Sequence, residues 1–378
     1  MIDLMRLHVV WDHNSREAAR IAERISRHFD SIGMERDGVA FRVPVRFSSS
    51  PWEEGSPLPR PIDLSRSTHN AIILLYDEEM YEHRDAWNLW TSALRTGIDA
   101  RSNADIYVAF GSPDDAPMLA ADEARRTQYQ QRKKWNMLHD DDARDQRLLL
   151  HLLIKIRAHL RERSGEAAKE PIFVSHAKID GDIAARAIVE FINNTSDGVP
   201  LETFYDATEL MPGDTFDDRF KAAIGRGTLL AIISDIYDTR PWCVFELTEA
   251  KRGRRPIVLA DIGGKRTGRT FPYGANLPRV RIRPVAGDTA WIEVLLVETM
   301  SEGLRCDLFD RQASAIAPPG SLVLPRPPEL FDVVHRDDLP GCIVYPDPPL
   351  GDIEADLLRR ALADRSTTTR LVTLGELT

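Results

Sequence analysis

Cysteine is scarce in this chain of 378 residues, and the few that occur are far apart. They are Cys243, Cys306 and Cys342, an odd number without any CxxC spacing. A disulfide framework or a cysteine-ligated zinc site needs paired or closely spaced thiols. Neither can organise this fold, so we expect a reducing compartment, no metal site and no bound cofactor.

An excess of positive charge and a long apolar run are also missing. Lysine and arginine number 49 against 59 acidic residues, a formal net charge of −10. Such a body repels nucleic acid and anionic membranes, so neither is an expected partner. No stretch approaches the roughly 18 apolar residues of a membrane span, and the N-terminus lacks a secretion-type apolar core. These absences predict a cytoplasmic protein.

The chain does contain an alternation of strand and helix patterns. Strand candidates within residues 1–163 are MRLHVVW (5–11), VPVRFSS (43–49), AIILLY (71–76) and DIYVAF (105–110). The helix after the first strand repeats apolar residues at helical spacing, from Ala18 to Phe29. Alternating strands and helices indicate an α/β domain with a mostly parallel sheet. The polar run 164–170 is predicted to be a linker.

The same pattern begins again at residue 171. The strand candidates here are PIFVSHA (171–177), LETFYD (201–206), TLLAIIS (228–234) and PIVLADI (256–262). A second α/β domain is therefore predicted over 171–305, because continuous apolar runs are typical of parallel strands buried on both faces. Residues 306–378 are predicted to be a proline-rich connector and a small βαβ-like segment, too short for a core of its own.

One helix of the second domain carries an unexpected charge. The stretch RPWCVFELTEAKR (240–252) places the carboxylate of Glu246 among Val244, Phe245 and Leu247. A purely structural explanation is available, because a glutamate in an early helical turn can pair with a base or with the helix dipole. Thr239 as a cap and Pro241 in the first turn would account for the helix start without any functional role.

Four stretches favour a functional role for this glutamate. They are IFVSHAKID, FYDATELMPGDTF, LLAIISDIYDTRPWC and WCVFE, in this order along the chain. Together they make residues 171–305 resemble a TIR (Toll/interleukin-1 receptor) domain of the bacterial type. The resemblance implies a flavodoxin-like fold. It also implies cleavage of the nicotinamide–ribose bond of NAD+, by hydrolysis or by cyclisation, with NAD+ as the substrate.

The resemblance assigns roles to individual residues. Glu246, four residues after Trp242, takes the position of the catalytic glutamate, and Trp242 that of the tryptophan that supports it. The implied substrate-binding residues are Phe173, Ser175, His176, Asp206, Phe216 and Trp242. Phe216 lies one residue later than the aromatic that closes over the base in relatives. The residues that match the assembly loop of TIR domains are Leu210, Met211, Pro212 and Gly213.

Most of these residues also have a structural interpretation. His176 could be an ordinary strand-end histidine, Asp206 a turn cap and Phe216 a core residue. Trp242 is expected to pack first and to contact substrate second. Cys243 beside it is interpreted as a small buried hydrophobe rather than a nucleophile.

The chemistry of NAD+ cleavage explains how a lone carboxylate can be catalytic. Breaking the glycosidic bond builds positive charge on the ribose, as in sugar hydrolysis. A fixed carboxylate stabilises that charge most strongly where water is excluded. Nicotinamide leaves from an already cationic nitrogen, so no strong general acid is required. In an α/β fold we expect the site at the carboxyl ends of the strands.

The N-terminal domain parallels the second one in sequence pattern. Residues 71–94 match residues 229–250 in a strand, an acidic loop and a helix that bears a tryptophan. Setting Trp87 against Trp242 puts Thr91 where Glu246 stands. The N-terminal domain is therefore predicted to be a degenerate, inactive TIR-like copy. The alternative is a generic α/β domain whose similarity is only topological.

Two functions from different classes follow from these features. The first is an NAD+ glycohydrolase or cyclase that self-associates through its TIR domains and acts as an effector or signal generator in prokaryotic antiphage immunity. The alternative is a non-catalytic TIR scaffold, which would not need the glutamate of WCVFE. A third candidate is an N-glycosidase that uses the same carboxylate on another nucleotide.

Overall fold

The computed structural model describes residues 3–32, 43–102, 104–111, 130–131, 141–194, 201–204, 224–225, 227–264, 274–285, 287–336, 338–363 and 369–377. They belong to two compact units, one that ends at Leu152 and one that begins at Leu153. None of the described helices is both long and apolar enough to cross a membrane.

The first unit is built on a parallel five-stranded sheet. Its strands are β1 (Asp3–Val10), β2 (Val45–Ser48), β3 (Ser67–Tyr76), β4 (Ile106–Gly111) and β5 (Gln130–Gln131), in the spatial order β2-β1-β3-β4-β5. The helices are α1 (Arg16–Ile32), α2 (Glu78–Glu82), α3 (Arg84–Asp99) and the first half of α4 (Asp141–Arg163). The apolar stripe from Ala18 to Phe29 is the buried face of α1, as its spacing predicts.

The second unit repeats this strand order in another parallel sheet. Its strands are β6 (Glu170–His176), β7 (Leu201–Phe204), β8 (Thr228–Ile233), β9 (Ile257–Asp261) and β10 (Arg279–Arg281), ordered β7-β6-β8-β9-β10. Helix α5 (Asp182–Asn194) follows β6, and α6 (Pro241–Arg252) lies between β8 and β9. The order 2-1-3-4-5 is that of flavodoxin-like sheets. The predicted fold class is therefore confirmed for both α/β units.

A third, smaller sheet lies near the C-terminus. It contains β11 (Leu322–Val323), β12 (Cys342–Tyr345) and β13 (Arg370–Thr373), which pair in parallel and in chain order. The helices of this segment are α8 (Leu330–Val334) and α9 (Asp352–Ala363). Val333, Ile343 and Leu358 belong to an apolar core within this segment, so the prediction that it is too short for a core of its own is wrong. The predicted βαβ-like segment is present, with one additional strand, β11.

Helices run across or close to the predicted domain boundaries. The division between the two units falls inside α4, at Leu152, rather than in the predicted linker 164–170. Helix α7 (Ala290–Ile316) continues past residue 305, where the second domain was predicted to end. It continues because buried residues recur along it, from Trp291 to Ala313. The amino-acid composition changes near residues 164–170 and 305, but the packing of α4 and α7 does not follow these changes.

A buried ion cluster ties the second half of α4 to the amino end of the second sheet. Arg157 Nη1 donates to Glu170 at the start of β6. Arg157 Nε and Nη2 donate to Asp307 Oδ2 on α7, at 3.1 and 3.0 Å. Gly303 leaves room for this guanidinium, because a Cβ at that position would lie 1.9 Å from Arg157 Nη1.

Candidate active site

The candidate site lies where two neighbouring strands of the second sheet end. Strand β6 ends at His176, strand β8 ends at Ile233, and the two strands pair directly. In a sheet of this order the chain switches direction between these two strands, which is where α/β folds bind ligands. Helix α6 begins at Pro241, soon after the end of β8. The helix therefore brings its first two turns to the carboxyl edge of the sheet.

The start of α6 differs from the expected capping. The N-cap residue is Arg240, and its side chain makes no capping hydrogen bond. Thr239 instead belongs to a short 3₁₀ turn (Tyr237–Thr239), and its hydroxyl donates to the carbonyl of Ile236 at 2.7 Å. Pro241 occupies the first helical position, as predicted, where its missing N–H costs nothing.

The carboxylate of Glu246 is held by a short chain of hydroxyl groups. Glu246 is 6% exposed, and its Oε2 accepts a hydrogen bond from Ser175 Oγ. Ser175 Oγ lies 2.7 Å from the hydroxyl of Tyr237, which also contacts the carbonyl oxygen of Cys243 at 3.3 Å. An ionised carboxylate can only accept, so Ser175 donates its proton to Glu246 and accepts from Tyr237, whose single hydroxyl proton is shared between Ser175 Oγ and the carbonyl oxygen of Cys243. The acid on α6 is thereby fixed to the end of β6.

Burial and the charge of Glu246 keep both neighbouring acids protonated. Burial, followed by the nearby Glu246 carboxylate, raises the pKa of Tyr237 well above its ordinary value of 10. The same two causes raise the pKa of Cys243 to about 12. Tyr237 therefore remains a hydrogen-bond donor at neutral pH, and Cys243 remains a thiol. Because only a thiolate is a good nucleophile, Cys243 is unsuited to covalent catalysis, and its burial agrees with a packing role.

The other predicted site residues with described positions lie in three different environments. His176 is buried, and its Nε2 lies 3.5 Å from Asp182 Oδ1 on α5. Phe173 is part of the apolar core of the second sheet. Trp242 is 56% exposed, and its ring meets that of Phe245 edge-to-face at 5.7 Å. The structure thus brings Ser175 to Glu246 directly, while Trp242 faces solvent rather than the core.

Two further groups of predicted residues lie outside the described part of the chain. These are the substrate-binding candidates Asp206 and Phe216, and the assembly-loop candidates Leu210, Met211, Pro212 and Gly213. Their roles stay predictions of the sequence resemblance.

Tyr237 was not predicted as a site residue. Tyr237 lies in the stretch DIYDTRPWC, which contributes to the TIR resemblance. No rule of sequence spacing connects it with Ser175, which lies 62 residues earlier. A second missed contact joins the loops after β6 and β8, because Ser234 Oγ donates to Asp180 Oδ1 at 2.6 Å. Both contacts tie together the two strand ends that flank Glu246.

The first unit has no carboxylate at the position aligned with Glu246. Thr91 is buried there, and its hydroxyl donates to the carbonyl of Trp87 at 2.9 Å. Trp87 is also buried, and its Nε1 donates to Asp12 Oδ2 at 3.2 Å. The environment of Trp87 therefore differs from that of the exposed Trp242 with which the sequence aligns it.

Comparison with known proteins gives few matches. The chain matches no protein-family model and no curated protein. Among solved structures it is similar to a chain of the activated Roq1 resistosome directly recognizing the pathogen effector XopQ (TIR domains), at 20% sequence identity and a TM-score of 0.21. That match covers 25% of this chain and 59% of the other, so less than two thirds of the other chain is spanned. The fold assignment above depends on the strand order of this chain, not on that likeness.

Proposed function

We propose that the second unit is an NAD+ glycohydrolase or cyclase in which Glu246 is the catalytic carboxylate. The observation that carries this proposal is the hydrogen bond from Ser175 to Glu246, which holds a buried acid at the switch point of a flavodoxin-like sheet. The sequence resemblance to TIR domains supplies the substrate. Self-association through the TIR domains and a role in antiphage defence belong to the same proposal.

The proposed reaction follows from the charge on each group. The bond between the ribose C1′ and the nicotinamide nitrogen breaks, and its electron pair leaves with nicotinamide, which becomes neutral. The positive charge moves to the ribose, where the Glu246 carboxylate stabilises it. Water then adds to C1′ and loses a proton to give ADP-ribose, or a nitrogen of the adenine ring adds in place of water and closes a cyclic product.

Ser175 and Tyr237 position the carboxylate in this scheme. Their donated hydrogen bonds keep Glu246 in one orientation, so the acid does not have to reorganise as the cation forms. The raised pKa of Tyr237 keeps this donor protonated across the neutral range. No side chain needs to act as a strong acid, because the leaving group carries its own positive charge.

Nicotinamide release from NAD+ tests the proposal. The full chain is incubated with NAD+, and free nicotinamide is measured by liquid chromatography. We expect Glu246→Gln to lower the rate by at least about 100-fold, the cost of removing one preorganised electrostatic group. Glu249→Gln is the matched control, because Glu249 lies one turn later on the same helix and pairs with Arg252. A Glu246→Gln protein as active as the control would refute the proposal.

A TIR scaffold without catalysis is the second candidate, and one observation favours it. Large apolar side chains are exposed near the ends of β6 and β8, including Ile183 at 85% exposure and Trp242 at 56%. Exposed apolar groups of this size are typical of contact surfaces. If Ile183→Ser abolishes self-association while wild-type assemblies release no nicotinamide, the scaffold is the better description.

A further inference from the structure

A polar cavity lies at the opposite end of the second sheet from Glu246. It has a volume of about 230 Å³ and is lined by the ends of α4 and α6, by α7 and by the segment around β11. Glu166, which precedes β6, and Pro256, which precedes β9, place it at the amino ends of the strands. The cavity is therefore distinct from the candidate active site.

Four arginines line this cavity: Arg161, Arg254, Arg255 and Arg311. Three carboxylates share the lining, but two of them already have partners. Glu166 lies 3.0 Å from Arg161, and Asp307 accepts from Arg157 at 3.0 Å. Asp310 is the third acid. The lining therefore carries four guanidinium groups against three carboxylates, a formal excess of one positive charge.

Two of these arginines are fixed by contacts to backbone carbonyls. Arg254 adopts a left-handed conformation with φ of 55°, and its Nη1 donates to the carbonyl of Val323 at 3.2 Å. Arg311 donates through Nη2 to the carbonyl of Leu160 and to Ser164 Oγ. These contacts hold the two guanidinium groups in place at the cavity wall, so they lose little freedom when a ligand binds.

A purely structural role does not explain the position of Arg255. Its Nε is buried, and it has no hydrogen-bond partner within the part of the chain that the structure describes. Burial is the main cause that lowers the pKa of Arg255; the carboxylates Glu166 and Asp307 oppose it, and Arg254 and Arg161 lower it further. A buried donor without an acceptor destabilises the fold, and partial desolvation of the guanidinium adds to that cost. An anion in the cavity would remove both costs.

We propose that this cavity is a binding site for a small phosphate-containing anion, with Arg255 as its central ligand. The planar guanidinium of Arg255 can donate two parallel hydrogen bonds to phosphate oxygens. The four arginines of the lining favour such an anion over a cationic or neutral ligand. The volume suits a phosphate or pyrophosphate group rather than a complete drug-sized molecule. The site is independent of the reaction proposed for Glu246.

Calorimetric titration of the full chain with inorganic phosphate, pyrophosphate and AMP tests the site, with acetate as a carboxylate comparison. We expect pyrophosphate to bind and to raise the melting temperature, because a ligand of the folded state stabilises it. Arg255→Gln should weaken that binding by at least about tenfold. Arg252→Gln, at the last residue of α6 and outside the cavity lining, should leave it unchanged. AMP binding as tight as pyrophosphate would identify the phosphate of a nucleotide as the source.

A second measurement separates an anion site from a structural arginine. In phosphate-free buffer, Arg255→Gln should melt at the same or a higher temperature than the wild type, because it removes a partly desolvated guanidinium whose buried Nε has no acceptor among the described residues. If pyrophosphate shows no binding up to about 10 mM, or if Arg255→Gln binds as well as the wild type, the proposal is wrong. A large loss of stability in ligand-free Arg255→Gln would equally overturn it, since it would show that the charge has a structural partner.

Discussion

Replacing Lys251 by methionine should destabilise the second unit far more than replacing the arginine next to it. Lys251 is at the end of α6, the helix that carries Glu246, and it is 1% exposed. Its Nζ lies 3.0 and 2.9 Å from the two carboxylate oxygens of Glu329, which is also buried. Arg326 donates to the carbonyl of Lys251 at 3.1 Å. Buried charged groups thereby attach the C-terminal segment to α6.

The magnitude follows from what each substitution leaves behind. Lys251→Met keeps the shape of the side chain but leaves Glu329 as a buried carboxylate without its cation, which typically costs about 3–5 kcal/mol. Replacing both residues, as in Lys251→Met with Glu329→Leu, removes both charges and should restore stability to within about 1 kcal/mol of the wild type. Arg252→Met disrupts an exposed pair with Glu249 and should cost no more than about 1 kcal/mol.

The pH dependence of the single variant has a definite sign. Burial raises the pKa of Glu329 above 4.5 even with Lys251 in place. Without Lys251, the pKa of Glu329 in the native state rises further above its pKa in the unfolded state. The stability of Lys251→Met therefore falls as the pH rises from 4.5 through the raised pKa of Glu329. The deficit of Lys251→Met should consequently be smaller at acid pH than at pH 8.

Urea unfolding of the full chain measures the free energies, and hydrogen exchange of the α6 amides locates the loss. Exchange should accelerate in α6 and α8 of Lys251→Met and return to the wild-type rate in the double variant. The reasoning is refuted if Lys251→Met and Arg252→Met have equal unfolding free energies, or if the double variant is as unstable as the single one.

Three further outcomes are expected. Burial lowers the pKa of His8 from 6.5 to about 4, so between these pH values the unfolded state holds the proton and stability rises with pH, by about 3 kcal/mol for this residue. Burial lowers the pKa of His28 to about 4 as well, so His8→Gln should reduce the slope in an acid titration of unfolding by about half. Gly303→Ala should cost about 3 kcal/mol in urea unfolding, because its Cβ would displace the buried Arg157 guanidinium from Glu170 and Asp307. Tyr237→Phe should slow nicotinamide release about fivefold to tenfold without loss of fold, because it removes one hydrogen bond to Ser175.

Each of these outcomes has a control in the same chain. Exposed His83→Gln should keep the wild-type pH profile, and retention of the full wild-type slope in His8→Gln would contradict the assignment. Gly97→Ala, at a helical glycine with only an ordinary 3.6 Å neighbour, should be neutral or stabilising. Equal stability of the two alanine variants would show that Arg157 moves aside freely. For Tyr237→Phe, an unchanged rate would mean that Ser175 alone positions Glu246.

Much of the fold could be predicted because it depends on local patterns. The stripe from Ala18 to Phe29 has helical spacing and forms the buried face of α1. The run TLLAII is apolar throughout and becomes the central strand β8. Right-handed connections between parallel strands limit the possible strand orders, but the order 2-1-3-4-5 is a property of the packed sheet. Helix ends were harder, since α7 continues to Ile316 through packing that no local signal marks.

The site was only partly predictable. Glu246 stood out because a charge in an apolar turn is unusual, and Ser175 because it lies in a recognisable strand end. The roles of Tyr237 and Lys251 depend on partners 62 and 78 residues away. Sequence spacing carries no information about such contacts, because they form only when separate elements pack against each other.

The sequence by itself determined the alternation of strands and helices, the parallel sheets and the position of one acid at the start of a helix. These features depend on hydrophobic periodicity and on residues close together in the chain. Only the tertiary structure decided that Ser175 holds this acid, that Trp242 faces solvent and that Arg255 lies in a cavity. Burial and charge pairing are properties of the packed chain, and the same side chain is inert or functional according to what the fold places beside it.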